Sequence, residues 1–334
     1  MDNPNQEFVI DSYNNIKDSA LDPSLFINFR DSDLNFRKQD YIKKIKDSKL
    51  KWVEATNLQG GSKVLVPAQL VYVDFDFTNE PMIRPRVSTG AAANESLEKA
   101  LYSGIMENIE RDSYMISYLS KKQLPKINLE KGFPDINNYF KRYLLDLQVF
   151  ETTTDLEIPS FMCLNIDRTG LGPAISVGLN ASVNPREGIL GSIKESQQVR
   201  QWIRNLWIQK ANPKNYSKED VKEIEDRGFY WYDLAKIKEL DYLLNPQSLK
   251  DIQEIKPPKT KEELQDKLRK NGIDTYYVDL THPVFKDAGF FVVRVIQPQL
   301  HPLFLDESFP CYHSDRLNKE LNGKEVNRFL HPFM

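Results

Sequence analysis

The chain has 334 residues, with 45 Lys and Arg set against 48 Asp and Glu for a net charge of −3. That balance argues against nucleic acid as the main partner, and no apolar run approaches the ~20 residues that a membrane span requires. The start Met1-Asp2-Asn3-Pro4 is too polar for a signal peptide, and two cysteines, Cys163 and Cys311, are too few for a disulfide framework, so a reducing, cytoplasmic setting is expected.

In chain order, the Lys43–Lys51 cluster is interrupted by Ile45, Asp47, Ser48 and Leu50 and reads as a solvated helix face. A strand is expected over Val64–Phe75. Ser88 to Ala93 is a small-residue turn feeding a helix over Leu97–Leu119. Further strands are expected over Leu144–Thr152, Phe161–Ile166, Ala174–Val177, Thr275–Leu280 and Phe290–Ile296, the last a β-branched and aromatic run closed by Pro298. Helices are expected over Ile136–Tyr143, Pro185–Gln209, Lys218–Leu244 and Lys261–Lys270. Asn184 with Pro185 and Glu187 marks one helix start, Ser217 another, and Thr260 with Glu263 a third. Lys256-Pro257-Pro258-Lys259 reads as a loop rather than a domain boundary. Strands and helices mix without a repeat, so a mixed α/β (α+β) fold is expected, and the length allows about two domains or one large unit over residues 1–334.

The chemistry concentrates on two helices. On the first, Ser96, Lys99, Ser103, Glu107 and Glu110 fall on one stripe, and Leu101, Ile105, Ile109 and Ile116 run along the opposite side. Two carboxylates one turn apart repel by a few tenths of a kcal/mol in an isolated helix. A divalent cation would reverse that sign, although a solvated acidic face is the commoner reason for such a pair. On the second helix, Glu195 and Gln198 share a face, while Ile189, Ile193, Val199 and Ile203 form the buried side of an ordinary amphipathic helix. His282, His301 and His331 each precede a proline and His313 lies two residues from Cys311, with no zinc-site spacing among them. They read as turn or packing residues, and nothing marks either cysteine as an activated nucleophile.

Ser103 to Arg111, in the pattern Ser-x-x-x-Glu-x-x-Glu-Arg with Thr89-Gly90 before it and Asp112 after it, resembles the central motif of the YcaO family. Glu195-x-x-Gln198 and Gly289 to Pro302 resemble later YcaO segments, and Lys51–Val53 and Val64–Tyr72 resemble the strands before the motif. The likeness runs in order from about Asp22 to the C-terminus. It implies a YcaO-like fold, with mixed sheets packed by helices around an ATP and Mg2+ cleft. It also implies an ATP-dependent cyclodehydratase of bacteriocin-type biosynthesis, acting on Cys, Ser or Thr of a ribosomal precursor peptide. In that chemistry the side chain attacks the preceding carbonyl, ATP phosphorylates the oxyanion, and loss of phosphate leaves a thiazoline or oxazoline. The resemblance assigns Glu107, Glu110 and Glu195 to magnesium and Arg111, Lys194 and Gln198 to the nucleotide, and it leaves the general base unassigned. Implied partners are the precursor peptide, a leader-peptide-binding protein and a flavin-dependent azoline dehydrogenase.

The sequence departs from the family pattern in four places. An earlier acidic helix that members carry is not found, so an N-terminal portion is expected to be missing. Lys99 stands where a further Glu is common, and Gly191 stands one turn before Glu195, where a basic residue usually faces the phosphates. Leu330-His331-Pro332-Phe333-Met334 keeps one proline of a Pro-x-Pro-x-Pro tail. These departures keep two alternatives open: thioamide formation through the same activation, and a YcaO-like scaffold subunit without ATP turnover.

Overall fold

The computed structural model describes residues 7–210, 216–246, 248–258 and 260–334. The chain divides into two compact units. The first comprises Met1–Asp112, Leu268–Phe304 and Ser308–Lys319, and the second comprises Ser113–Lys267, Leu305–Glu307 and Glu320–Met334.

The first unit is built on a sheet of β1 (Val9–Ser12), β2 (Lys49–Asn57), β3 (Lys63–Pro67), β4 (Ala91–Asn94) and two late strands, Tyr276–Asp279 and Phe291–Ile296. The second unit holds β5 (Lys126–Ile127), β6 (Leu145–Glu151), β7 (Ser160–Asp167), β8 (Ile175–Ala181) and β9 (Leu249–Lys250); the late strands of the first unit are then β10 and β11. The first sheet has the order β1-β2-β10-β11-β4, with β3 also paired to β2. Its strands pair antiparallel, and alternate β2 side chains Leu50 and Trp52 enter a core with Phe26, Phe29 and Ile45. The second sheet has the order β8-β7-β6-β5-β9, antiparallel except for β5 with β9. The Pro185–Gln209 helix packs on β7 and β8, where Phe161, Cys163, Ile189 and Ile193 share a core.

Local chemistry explains most boundaries. Asn184 accepts a hydrogen bond from Arg186 N and Pro185 opens the helix, as its sequence requires. The helices at Leu97–Leu119, Pro185–Gln209 and Lys261–Lys270 have the expected limits, and Thr260 Oγ1 accepts from Glu263 N at 3.1 Å. Three expectations change. The strand from Val64 stops at Pro67 and turns through Ala68–Leu70, where Val71 N bonds back to Ala68 O. Lys218–Leu244 is no single helix. Capping boxes at Ser217/Asp220 and Glu223/Asp226, and the Asp233 cap on Ala235 N, restart the chain three times, while Phe229 to Tyr232 turn inward and are buried. Finally, Ala91–Asn94, expected as turn, is edge strand β4, because β11 offers it four paired positions.

Both cysteines are free and buried, and burial pushes each thiol up to about 12, which leaves them inert. No helix among the described residues is long and apolar enough to cross a membrane.

Candidate functional site

The Leu97–Leu119 helix can approach β11 only because two residues lack side chains. A Cβ on Gly104 would stand 2.7 Å from Val295 Cγ2, and one on Gly90 would stand 2.3 Å from Val295 O. Gly90 also has φ +87°, a conformation that glycine adopts without strain. The close approach is fastened by three hydrogen bonds. Val295 N donates to Gly90 O at 2.7 Å, Asn108 Nδ2 donates to Val295 O at 3.2 Å, and Gly90 N donates to Glu107 Oε2 at 3.0 Å.

One turn further on, Arg111 sits between the two acids. Its guanidinium lies 3.5 Å from Glu107 Oε1 and 3.3 Å from Glu110 Oε1. Glu110 is buried and Glu107 half-buried, so the stripe is not a solvated acidic face. A cation already offsets the repulsion between the carboxylates, and it comes from the same helix. Among the described residues no third His, Cys, Asp or Glu joins them in a ready-made metal cage. Mg2+, however, keeps several waters and commonly takes one or two protein carboxylates together with substrate phosphates.

Beside this pair a narrow recess, with a cavity volume of about 30 Å3, is lined by Thr89, Asn108, Arg84, Arg111, Arg294 and Gln297 among others. Three guanidinium groups line one recess. Arg294 is buried, with Nε donating to Leu70 O at 3.0 Å and Nη2 to Val87 O at 2.6 Å, while Nη1 has no hydrogen-bond partner among the described residues. Burial first, and then the neighbouring Arg84, pull its pKa down to about 10. Arg84 lies over the Phe26 ring, 5.7 Å from its centroid, and burial lowers its pKa as well. Buried positive charge of this kind is compensated by an anion. The floor is rigid. Asp112 is wholly buried and accepts Arg316 Nε at 2.9 Å, Arg316 Nη2 at 2.8 Å and His301 N at 2.7 Å. His301, with Nδ1 2.8 Å from Ser314 Oγ, is held neutral because burial drives its pKa down to about 3.

A profile of the YcaO cyclodehydratase family, described as ATP- and Mg2+-binding, matches residues 1–301. The chain belongs to the YcaO family. Solved structures agree on the fold. A heterocyclase in complex with substrate and cofactor superposes with a TM-score of 0.79 at 21% identity, covering 100% of this chain and 46% of that one. YcaO from Methanopyrus kandleri bound with AMPPCP and Mg2+ gives 0.57 at 18% identity, over 75% of this chain and 64% of that one. The E. coli microcin synthetase McbBCD complex with pro-MccB17 bound gives 0.62 at 15% identity, over 92% and 78%. The present chain spans less than half the length of the first of these proteins.

The remaining YcaO motif residues lie on the Pro185–Gln209 helix of the second unit. There Lys194 and Gln198 are exposed, and Glu195 Oε2 accepts a hydrogen bond from Leu179 N on the outer edge of β8. Gly191 has a packing reason. A Cβ there would stand 2.6 Å from Asn180 Cγ, so the glycine lets the helix lie on β8. Lys99 is exposed and pairs with Glu95. His301 and His331 are buried, and His282 caps a short helix by accepting from Val284 N.

Sequence reasoning passed over Arg84 and Arg294. For Arg294 a signal was present, a charged residue set inside the apolar run Phe291–Ile296. Arg84 stands among prolines and carries no such mark.

Proposed function

We propose that this YcaO protein is an ATP-dependent cyclodehydratase that converts Cys, Ser or Thr of a ribosomal precursor peptide to thiazoline or oxazoline. The observation that carries the reading is Arg294, a buried guanidinium with an open Nη1, in a recess shared with Arg84 and Arg111 and flanked by Glu107 and Glu110. Paired cationic and acidic groups suit a metal-bound polyphosphate better than either a bare anion or a bare cation. When bound, Mg-ATP would supply the phosphoryl group that makes an amide oxygen a leaving group.

The side chains then have distinct tasks. Glu107, Glu110 and Glu195 would hold the metal, and Arg294, Arg84 and Arg111 would hold phosphate oxygens, with Lys194 and Gln198 towards the nucleotide. Arg111 would exchange part of its carboxylate contact for phosphate, and the fastened Gly90–Glu107 contact would keep one carboxylate oriented meanwhile. A leader-binding protein would present the precursor, a flavin-dependent azoline dehydrogenase would act only on the finished azoline, and a reducing cytoplasm fits two buried free thiols. The microcin synthetase complex with its bound pro-peptide supports the partner reading by analogy of fold. Thioamide formation would use the same groups.

A scaffold role is favoured by one observation. Arg111 satisfies Glu107 and Glu110 without any metal. Calorimetric titration with Mg-ATP separates the two. The enzyme reading expects saturable binding that weakens about tenfold or more, ~1.4 kcal/mol, in Arg294→Lys, because a point ammonium cannot reproduce the guanidinium fork. Absence of binding in a folded protein, or equal binding by both forms, favours the scaffold.

A further inference from the structure

The second unit carries a groove whose lining residues the proposed chemistry does not use. The Pro134–Lys141 helix, the turn into β6, the β7–β8 hairpin and one side of the Pro185–Gln209 helix enclose a groove of about 330 Å3. Tyr139 and Tyr143, with ring centroids 5.2 Å apart, form one wall, and Leu171 closes the far rim. All three are exposed by half or more, as is Leu144 beside them, at 73%. Four large apolar side chains exposed side by side mark a candidate interaction surface.

Two further observations favour a binding role. Leu144 has φ +57°, a left-handed conformation that bulky residues avoid, and its side chain is exposed beside the groove. At the groove floor, Arg200 Nε and Gln197 Nε2 are buried N–H donors with no hydrogen-bond partner among the described residues. Their neighbours are fully engaged. Arg200 Nη2 donates to buried Asp167 at 2.6 Å, and Asp167 also accepts from Thr169 N at 2.8 Å.

Charge selects the ligand. Among the described residues no Asp or Glu lines the groove, and Arg200 is neutralised by Asp167, whereas exposed Arg204 donates Nε to Leu171 O and has no carboxylate partner there. Arg142, also exposed, stands next to Tyr143 on the same turn. Open donors, a positive rim and an aromatic wall together fit an extended polypeptide segment that carries carboxylates and an aromatic or aliphatic anchor. We propose that this groove is a docking site for an acidic, hydrophobically anchored segment of another protein.

The test is fluorescence anisotropy on the full chain. The probe is a short labelled peptide in which glutamates alternate with leucine and phenylalanine, and the reference replaces each glutamate by lysine. The acidic peptide should bind saturably and lose affinity with salt, and the lysine peptide should not bind. Arg204→Glu should weaken the acidic peptide at least about tenfold and Tyr143→Ser severalfold, while Lys286→Glu, a charge-matched change in the first unit, should leave it unchanged. If Arg204→Glu does not fold, Leu144→Asp, at an exposed position, reads the same loss. The proposal is overturned by equal binding of both peptides, by no binding of the acidic peptide to ~1 mM, or by undiminished binding in folded Arg204→Glu. It is also overturned if Arg204→Glu instead abolishes a concentration-dependent dimer that the acidic peptide does not compete with, an outcome that assigns the groove to a second copy.

Discussion

The two helices that carry the YcaO motif present the same local pattern, polar residues three and four apart on one face, and put it to different structural use. Around Glu107 and Glu110 the carboxylates are partly or wholly withdrawn from water, bridged by Arg111 and bordered by Arg84 and Arg294. Around Glu195 the flanking Lys194 and Gln198 stand in solvent, and the carboxylate closes an edge by accepting from Leu179 N. Spacing therefore does not distinguish a charge cluster from a strand cap. Burial and the nearest opposite charge do, because a carboxylate loses most of its hydration only where something else supplies it.

The contrast should appear most strongly in turnover. With a peptide substrate and a leader-binding partner present, Glu110→Gln should reduce phosphate release by on the order of 10²–10³-fold, since it removes one full charge from a desolvated cluster. Gln198→Ala, at an exposed position, should change it severalfold at most. Equal effects would dissolve the distinction between the two helices.

Acid should separate the regions next. His301 has its folded pKa lowered, so between its ordinary value of 6.5 and about 3 the unfolded chain binds the extra proton. Stability contributed by His301 is thus present above pH 6.5 and declines as pH falls towards 3, by on the order of a few kcal/mol. Asp167, in the other unit, behaves differently. Burial raises its pKa, but the hydrogen bonds from Thr169 and Arg200 outweigh this and hold it below its ordinary value of 3.8, so its contribution is full above that value and is lost as pH falls from there through the lowered folded value. Denaturant melts across pH should show the loss beginning near 6.5 and flattened by His301→Gln. An unchanged pH profile in that variant would assign the acid sensitivity elsewhere.

A smaller effect is expected at Glu195. In metal-free buffer, Glu195→Ala should destabilise the second unit by ~1 kcal/mol, the ordinary cost of leaving one edge N–H without its acceptor. If the same variant also weakens Mg2+ binding, measured separately by titration, the residue serves both the strand edge and the metal. The smallest effect concerns Gly191. Alanine gains up to ~1 kcal/mol of helix propensity but meets the Asn180 side chain at 2.6 Å, so a net loss below ~1 kcal/mol is expected. Adding Asn180→Ala should turn that loss into a gain, and thermal melts of the double-mutant cycle would register the sign.

Much of this molecule could be read in advance from short-range rules. Asn184-Pro185, Thr260 with Glu263, and the 3.6-residue stripe of the Leu97–Leu119 helix delimit their elements because caps and periodicity act within one or two turns. The motif Ser103 to Arg111 carried the family, since it reflects which groups share one helix face. Long-range pairing decided the rest. Ala91–Asn94 is a strand only because β11 lies beside it, and Lys218–Leu244 breaks because buried aromatics and successive caps outcompete a continuous helix. Gly90 and Gly104 acquire their meaning from Val295, about two hundred residues away in sequence. The arginine recess is of the same kind. Its members come from three separated segments, and a buried charge becomes recognisable only when the tertiary structure shows which of its N–H groups has been left open.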